Sequence, residues 1–431
     1  MKGSLNNLVK THATNIFNAH LCNRTTCLMK SIRLFFSFLV FGFVLISCDG
    51  AAVTADEGAL NSTDEITDRA DRFSSESGSS AASNGNSGGN EGEAGLVTAA
   101  EWNDLDNWTF WRDLLQTEEF INKADYWNFH NLNRISVLVK GETGVPINNK
   151  SVRLEKDGAM IWEAKTDNFG TAQLFVGMRQ AVSALSMEEY TLVVANKMMS
   201  TPVKTFNEGI NEFILGAVGS AGTKVELAFI VDATGSMSDE LEFLKKDLLH
   251  VISKVAQQAP SLDIMTSTVF YRDTEDDYVV KHSGFTMNTT TTLEFIKAQS
   301  ADGGGDFPEA VHTALNTALS ELQWSNTART RIAFLLLDAP PHNNSNVISE
   351  LQEAIVAAAK RGIKIIPITA SGIDIETEYL MRYFSIVTNG TYVFITNDSG
   401  IGNEHLEASV GEYQVEKLND LLVRLITKYS E

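Results

Sequence analysis

Val225-Glu226-Leu227-Ala228-Phe229-Ile230-Val231, running directly into Asp232-Ala233-Thr234-Gly235-Ser236-Met237-Ser238, decides the fold. The first stretch is nearly all apolar and does not alternate, which is the pattern of a strand buried on both faces. The next helix is written just downstream, where Leu241, Leu244, Leu248, Ile252 and Val255 form one apolar stripe. Further strands are expected at Ile264–Tyr271, Tyr278–His282, Ile332–Leu337, Ile363–Thr369 and Thr391–Ile395. Helices are expected at Pro308–Leu322, Val347–Arg361, Ile375–Phe384 and Val415–Tyr429. Alternating strands and helices predict an α/β domain over residues 222–431, with a doubly wound, mostly parallel sheet. Ligands of such sheets bind beyond the carboxyl ends of the strands, where Asp232 lies.

Upstream the grammar is different. Residues 134–218 read as a small all-β sandwich, with strands in Arg134–Val139, Ser151–Glu155, Thr171–Val176 and Tyr190–Ala195 separated by turn signals. The turn Thr166-Asp167-x-x-Gly170-x-Ala172 resembles immunoglobulin-like modules related to the carboxypeptidase regulatory domain. Residues 101–133 hold Trp102, Trp108, Trp111 and Trp127, read as a helical segment whose rings pack on the next domain, or as a ligand platform. Residues 48–100 are rich in Gly, Ser, Asn, Asp and Glu, as in Ser74-Ser75-Glu76-Ser77-Gly78-Ser79-Ser80, the composition of a flexible tether.

Residues 1–47 read as a targeting segment. Lys30 and Arg33 precede the apolar run Leu34–Ile46, short of the roughly 20 residues a membrane span needs. The run ends in Leu45-Ile46-Ser47-Cys48, which resembles the bacterial lipobox, whose cysteine is lipidated; Met29 offers an alternative start. A lipid on Cys48 implies a membrane-anchored protein of the bacterial cell envelope, with the outer membrane as expected site and the face unassigned. Cys22, Cys27 and Cys48 all precede the folded part, so nothing after Cys48 can form a disulfide. The formal charge of −21 over 431 residues excludes a broad nucleic-acid surface, which needs clustered Lys and Arg.

The chemistry concentrates at Asp232, Thr234 and Ser236. Alternate residues of one turn can aim three oxygens at a point, and Mg²⁺ takes six oxygens at about 2.1 Å. One carboxylate and two hydroxyls leave the ion electrophilic. A helix N-terminus behind the loop repels cations, so the carboxylates must outweigh it.

Asp-x-Thr-x-Ser after a buried strand resembles the metal-ion-dependent adhesion site of von Willebrand factor type A domains, whose pattern is Asp-x-Ser-x-Ser, a distant Thr and a distant Asp. The distant Asp matches Asp338, which ends Ile332–Leu337. Asp338-Ala339-Pro340-Pro341-His342, Gly303-Gly304-Gly305-Asp306-Phe307-Pro308-Glu309 and Tyr271-Arg272-Asp273 resemble one branch of that family. No Thr stands at the distant position. Asp306 either replaces it as a ligand or caps a helix, because Asp306-x-x-Glu309 with Pro308 is a capping-box pattern. His342 reads as a second ligand or a surface histidine, and Asp273 as a residue able to reach the site from its own loop.

The resemblance implies a non-enzymatic module. A divalent ion (Mg²⁺ first, Mn²⁺ or Ca²⁺ as alternatives) held by Asp232, Thr234, Ser236, Asp338 and Asp306 would bind an acidic side chain of a protein ligand. Two rivals stand beside it. Asp232-Ala233-Thr234-Gly235-Ser236 also resembles the Asp-Lys-Thr-Gly-Thr loop of haloacid dehalogenase-type phosphoryl-transfer enzymes, although no second acid follows Asp338. A scaffold domain without metal is the other.

Overall fold

In the computed structural model, which describes residues 95–431 except 181, 183, 184, 217–221 and 403, the strand opened by Lys224 lies inside an eight-stranded sheet. Cys48, the targeting segment and the tether up to residue 94 lie outside the described residues. The first elements are β1 (Thr98–Trp102), α1 (Trp108–Leu114) and α2 (Glu118–Trp127). There follow β2 (Asn133–Gly141), β3 (Ser151–Lys156), β4 (Ala159–Lys165), β5 (Thr171–Val176), β6 (Tyr190–Val194), β7 (Lys197–Met198) and β8 (Asn211–Leu215). The large sheet then draws on β9 (Lys224–Asp232), β10 (Asp263–Tyr271), β11 (Val280–His282), β12 (Thr330–Leu337), β13 (Ile363–Thr369), β14 (Tyr392–Ile395) and β15 (Val415–Lys417). Its helices are α3 (Leu241–Gln258), α4 (Thr289–Lys297), α5 (Val311–Ser320), α6 (Ser345–Arg361), α7 (Ile375–Val387) and α8 (Leu418–Ser430).

The sheet order is β11-β10-β9-β12-β13-β14-β1-β15, and β9, β10, β12, β13 and β14 run parallel. This is the doubly wound α/β sheet expected. Val225 to Asp232 are all buried, and the two faces of β9 feed different cores. Ala228 and Ile230 join the core shared with α5, α6 and α7; Val225, Leu227, Phe229 and Val231 join the one under α3 and α8. Phe229 stacks on Phe334 of β12 with ring centroids 5.3 Å apart.

Several elements depart from the sequence reading, among them β4, β7 and β8, which it does not list. Thr98–Trp102, which that reading divides between tether and aromatic segment, is a strand inserted antiparallel between β14 and β15. Thr-Ala-Ala-Glu-Trp has little intrinsic strand preference; its small residues suit the position, since Ala99 and Ala100 are fully buried. The expected helix from Val415 begins only at Leu418, because Val415–Lys417 pairs with β1. Helix α4 has no apolar stripe to announce it beyond Leu293 and Ile296, and its four opening threonines look like strand; Asn288 caps it by accepting from Thr290 N–H.

The residues between β1 and β9 are built onto the large sheet. Two small sheets, β5-β2-β8 and β4-β3-β6-β7, make the expected all-β part, with Trp162 of one set edge-on to Phe175 of the other. In the turn before β5, Asp167 accepts from Phe169 N–H, Thr171 N–H and the Thr171 hydroxyl. Its second oxygen takes the buried Lys364 Nζ of β13 at 3.0 Å and Asn389 Nδ2 at 3.0 Å. Gly170 here has φ +73°, and a Cβ on it would stand 2.4 Å from the Val139 carbonyl oxygen.

The tryptophans pack inward. Trp111 and Trp127 are fully buried, and Trp111 stacks on Tyr379 of α7 at 5.9 Å. Beside them Arg382 is wholly buried; it donates to both Asp104 oxygens (2.6 and 3.0 Å) and to Glu378 at 2.9 Å. Removing one partner of such a pair typically costs about 3–5 kcal/mol, because it strands a buried charge.

The pairing of β1 yields a prediction. A fragment of residues 222–431 leaves β14 and β15 without their shared neighbour, so it should unfold at lower urea concentration than residues 95–431 or fail to unfold cooperatively. Equal midpoints for the two fragments would show that β1 is dispensable to the sheet.

Candidate metal centre

The register of the parallel strands builds the site. β9 and β10 run in step to Asp232 opposite Tyr271, and β9 and β12 run in step to Val231 opposite Leu336. Asp338 is therefore the first residue beyond β12, on the strand next to the one that ends in Asp232. Adjacent strands lie about 4.8 Å apart, so the two carboxylates leave neighbouring strands at one end of the sheet. Asp232 and Thr234 are fully buried, Asp338 nearly so, and Ser236 is exposed.

The loop after β9 folds on its own oxygens. Asp232 Oδ1 accepts from Thr234 N–H at 2.9 Å and from the Thr234 hydroxyl at 2.7 Å. Thr234 Oγ1 lies 3.2 Å from Ser236 Oγ. The other carboxylate oxygen, Asp232 Oδ2, is buried without a hydrogen-bond partner. Burial pushes the Asp232 carboxyl well above the usual aspartate range, and the Asp338 charge pushes it further. The Tyr271 hydroxyl is raised by the same burial and by the same two carboxylates.

Arg272, itself buried, holds the surrounding loops: its Nε donates to Ala233 O at 3.1 Å and its Nη2 to Ser300 O at 2.9 Å. The glycine loop closes on the site, with Gly235 N–H donating to Gly303 O and Asp302 N–H to Ala233 O. Asp276 clasps that loop from outside by accepting from Gly304 N–H with both oxygens. Gly303 and Gly304 have φ of +77° and +72°, and a Cβ on Gly303 would fall 2.2 Å from Asp276 Oδ1.

The glycine loop delivers a carboxyl that sequence reasoning passed over. Glu309 is buried, its N–H donates to Pro340 O at 2.9 Å, and its Oε2 has no hydrogen-bond partner. Burial pushes its carboxyl up to about 9, with Asp232, Asp273, Asp338 and Asp276 adding to the shift. Asp306, expected as ligand or cap, is exposed and does not cap the helix, since α5 starts at Val311 behind Ala310 with no side-chain cap. The chain from Pro308 to Ala310 is occupied with the Pro340–Pro341 backbone, which delays the helix and turns Glu309 inward. The signal that could have found it is the Gly-Gly-Gly run, which allows close backbone approach just before Pro-Glu.

His342 and Asp273 are brought to each other, Nε2 to Oδ1 at 2.7 Å. Together with Asp276, Gly304, Gly305 and Asp306 they line an acidic cleft of about 430 Å³. Among the described residues no three His, Cys, Asp or Glu side chains gather closely enough to chelate an ion by themselves. The donor set at Asp232 is instead mixed, with two carboxylates and two hydroxyls.

This end-of-sheet arrangement coincides with a known family, for residues 226–381 match the von Willebrand factor A domain. The chain carries a von Willebrand factor A domain. Over 124 residues, 28% of this chain, it is 36% identical to an ariadne-like RING finger protein of Acanthamoeba polyphaga mimivirus. Over 172 residues, 39% of this chain, it is 26% identical to the alpha-protein kinase vwkA of Dictyostelium discoideum. The matched parts are 12% and 27% of those proteins' own lengths. Among solved structures it is similar to the conserved hypothetical protein BatB of Bacteroides thetaiotaomicron, with a TM-score of 0.34 at 14% identity, over 48% of this chain and 98% of that one.

The glycine loop is testable apart from any ligand. Gly303→Ala should lower unfolding free energy by about 1–2 kcal/mol, since a left-handed residue gains a Cβ that meets Asp276. Gly305→Ala, where a Cβ meets nothing within 4 Å, should leave stability unchanged in the same urea titration. Equal losses would mean that the loop is not clasped as described.

Proposed function

We propose that this chain is a lipid-anchored cell-envelope protein whose A domain binds a protein ligand through a divalent metal ion, Mg²⁺ first. Asp232, Thr234, Ser236 and Asp338 would hold the ion, and an acidic side chain of the partner would complete its shell. The observation that carries the reading is the pair of buried carboxylates at the ends of β9 and β12, with Asp232 Oδ2 buried and unpartnered. Two such carboxylates resist joint ionisation, and a cation between them relieves both the burial and the repulsion. The exposed Ser236 leaves one side open to a visitor. Domains of this family generally mediate protein–protein interaction.

The site favours ligation over phosphoryl transfer. Phosphoryl-transfer enzymes of the rival class pair the later strand's aspartate with a second acid, whereas Asp338 is followed by Ala339, Pro340 and Pro341. Export and lipidation rest on Leu45-Ile46-Ser47-Cys48. Among the described residues no helix is long and apolar enough to cross a membrane.

Calorimetric titration with Mg²⁺ and Mn²⁺ tests the centre. Wild type should bind one ion saturably, and Asp232→Ala and Asp338→Ala should lose it while still unfolding cooperatively in chelator. Binding of a captured partner should then depend on the ion. Heat signals identical in wild type and Asp232→Ala would remove the metal from the reading and leave a scaffold.

The anchor has its own test. Cells fed a labelled fatty acid should label the wild-type chain and not Cys48→Ser, which should leave the membrane fraction. Label persisting on Cys48→Ser would contradict lipidation there.

A further inference from the structure

At the end of the sheet opposite Asp232, basic side chains crowd a small cavity. β12 and β13 begin side by side there, with Arg331 opposite Ile363 and Ile332 opposite Lys364. The end of β4 and the turn after it pack against them. The cavity measures about 30 Å³, and Lys165, Arg329, Arg331 and Lys364 line it with a single carboxylate, Asp167. Arg331 and Lys364 are 3% and 5% exposed.

Their partners do not balance this charge. Lys364 takes the one carboxylate, Asp167 Oδ2, at 3.0 Å. Arg331 donates to Ser325 O at 2.7 Å and to Asn149 Oδ1 at 3.3 Å, both uncharged. Among the described residues Lys165 Nζ reaches only Asn326 O, at 3.5 Å. Arg329 Nε is buried with no hydrogen-bond partner. Glu226 favours the Arg331 cation from a distance, but both its oxygens accept from Ser325 N–H, at 2.9 and 3.0 Å. The C-terminus of α6, with Lys360 and Arg361 in its last turn, also favours cations here. It supplies about half a negative charge against four cations. Burial, and then the Arg331 charge, push the Lys165 ammonium down to about 8, and burial pushes Arg331 down to about 10. Buried like charges held this close call for a counter-ion.

The cavity sets the size of that counter-ion. Its volume suits one or two water-sized bodies, which is room for a halide and not for a nucleotide or a peptide carboxylate. Water filling the same space would solvate the cations without neutralising them.

We propose that this cavity is a chloride site, in which the anion lies among Lys165, Arg329, Arg331 and Lys364. Lys165 comes from the all-β part and the other three from the A domain. The ion therefore binds only when the two are docked, and it fastens the β4 end to the starts of β12 and β13. The site lies at the far end of the sheet from Asp232 and does not depend on the metal reading.

Thermal unfolding of the full chain in detergent and chelator, with chloride replacing gluconate at constant ionic strength and neutral pH, tests the site. Wild type should melt higher as chloride rises, and the rise should saturate, because the ion binds the folded state. Lys165→Met keeps most of the stem and removes the charge. It should raise the chloride Kd roughly 10–100-fold, the loss expected for one hydrogen bond to a charged group. Lys254→Met, on α3 and paired with Asp420, should titrate as wild type. The chloride-35 resonance should broaden with wild type and much less with Lys165→Met, whatever the variant's stability. If Lys165→Met fails to fold, Arg329→Gln should show the same loss. A wild-type melting temperature indifferent to chloride, or one that climbs without saturating, would overturn the proposal and leave water in the cavity. A saturable rise with the wild-type midpoint in Lys165→Met or Arg329→Gln would overturn it too, by placing the ion elsewhere.

Discussion

Everything at the site follows from one register. Because β9 and β12 run parallel with Val231 opposite Leu336, Asp232 at the end of β9 and Asp338 just past the end of β12 stand within one residue of the same height. A slip of one residue would turn a side chain to the other face of its strand. The apolar content of the two strands forbids that slip: Ala228, Ile230, Ala333 and Leu335 fill one core, and Leu227, Phe229, Ile332 and Phe334 the other. The placement of two mutually repelling carboxylates is therefore enforced by hydrophobic burial that has nothing to do with metals.

The loops above the sheet add rigidity where the strands cannot. Arg272 ties Ala233 to Ser300, Asp276 grips Gly304, and the Asp273–His342 pair links the β10 loop to the β12 loop. Each tie uses a charged or polar group to fix backbone, and the tied loops come from far apart in the chain. Pre-formed donors reduce the ordering cost of binding. The same logic holds away from the site, where Asp104–Arg382–Glu378 and Asp167–Lys364 fasten the N-terminal elements to α7 and β13.

Legibility in the sequence followed the kind of force involved. β9, β12 and β13 were readable because burial on both faces needs an unbroken apolar run, and Asp232 and Asp338 were readable as the residues that end two of those runs. β1 was not, because Thr98–Trp102 owes its strand state to the partners β14 and β15 rather than to its own composition. Glu309 was misread for a related reason. Asp306-x-x-Glu309 is a good local capping signal, but the backbone bond from Glu309 N–H to Pro340 O, from a loop some thirty positions later, overrides it. Local rules failed where long-range contacts decided, and both failures bear on the sheet or the site.

Charge makes the proposed ion more than a bridge. The chain carries a net −21, and the cleft beside the site is lined by Asp273, Asp276 and Asp306. An acidic partner approaching a metal-free site would meet like charges well within the screening distance of about 8 Å at physiological salt. With a divalent ion seated, attraction over the same few ångströms replaces repulsion at one point while the surroundings stay acidic. Only a partner that brings its carboxylate onto the ion gains from it; one that places acid elsewhere on the rim is repelled. On this reading the acidic rim confers selectivity and the ion confers affinity, and neither does so without the other.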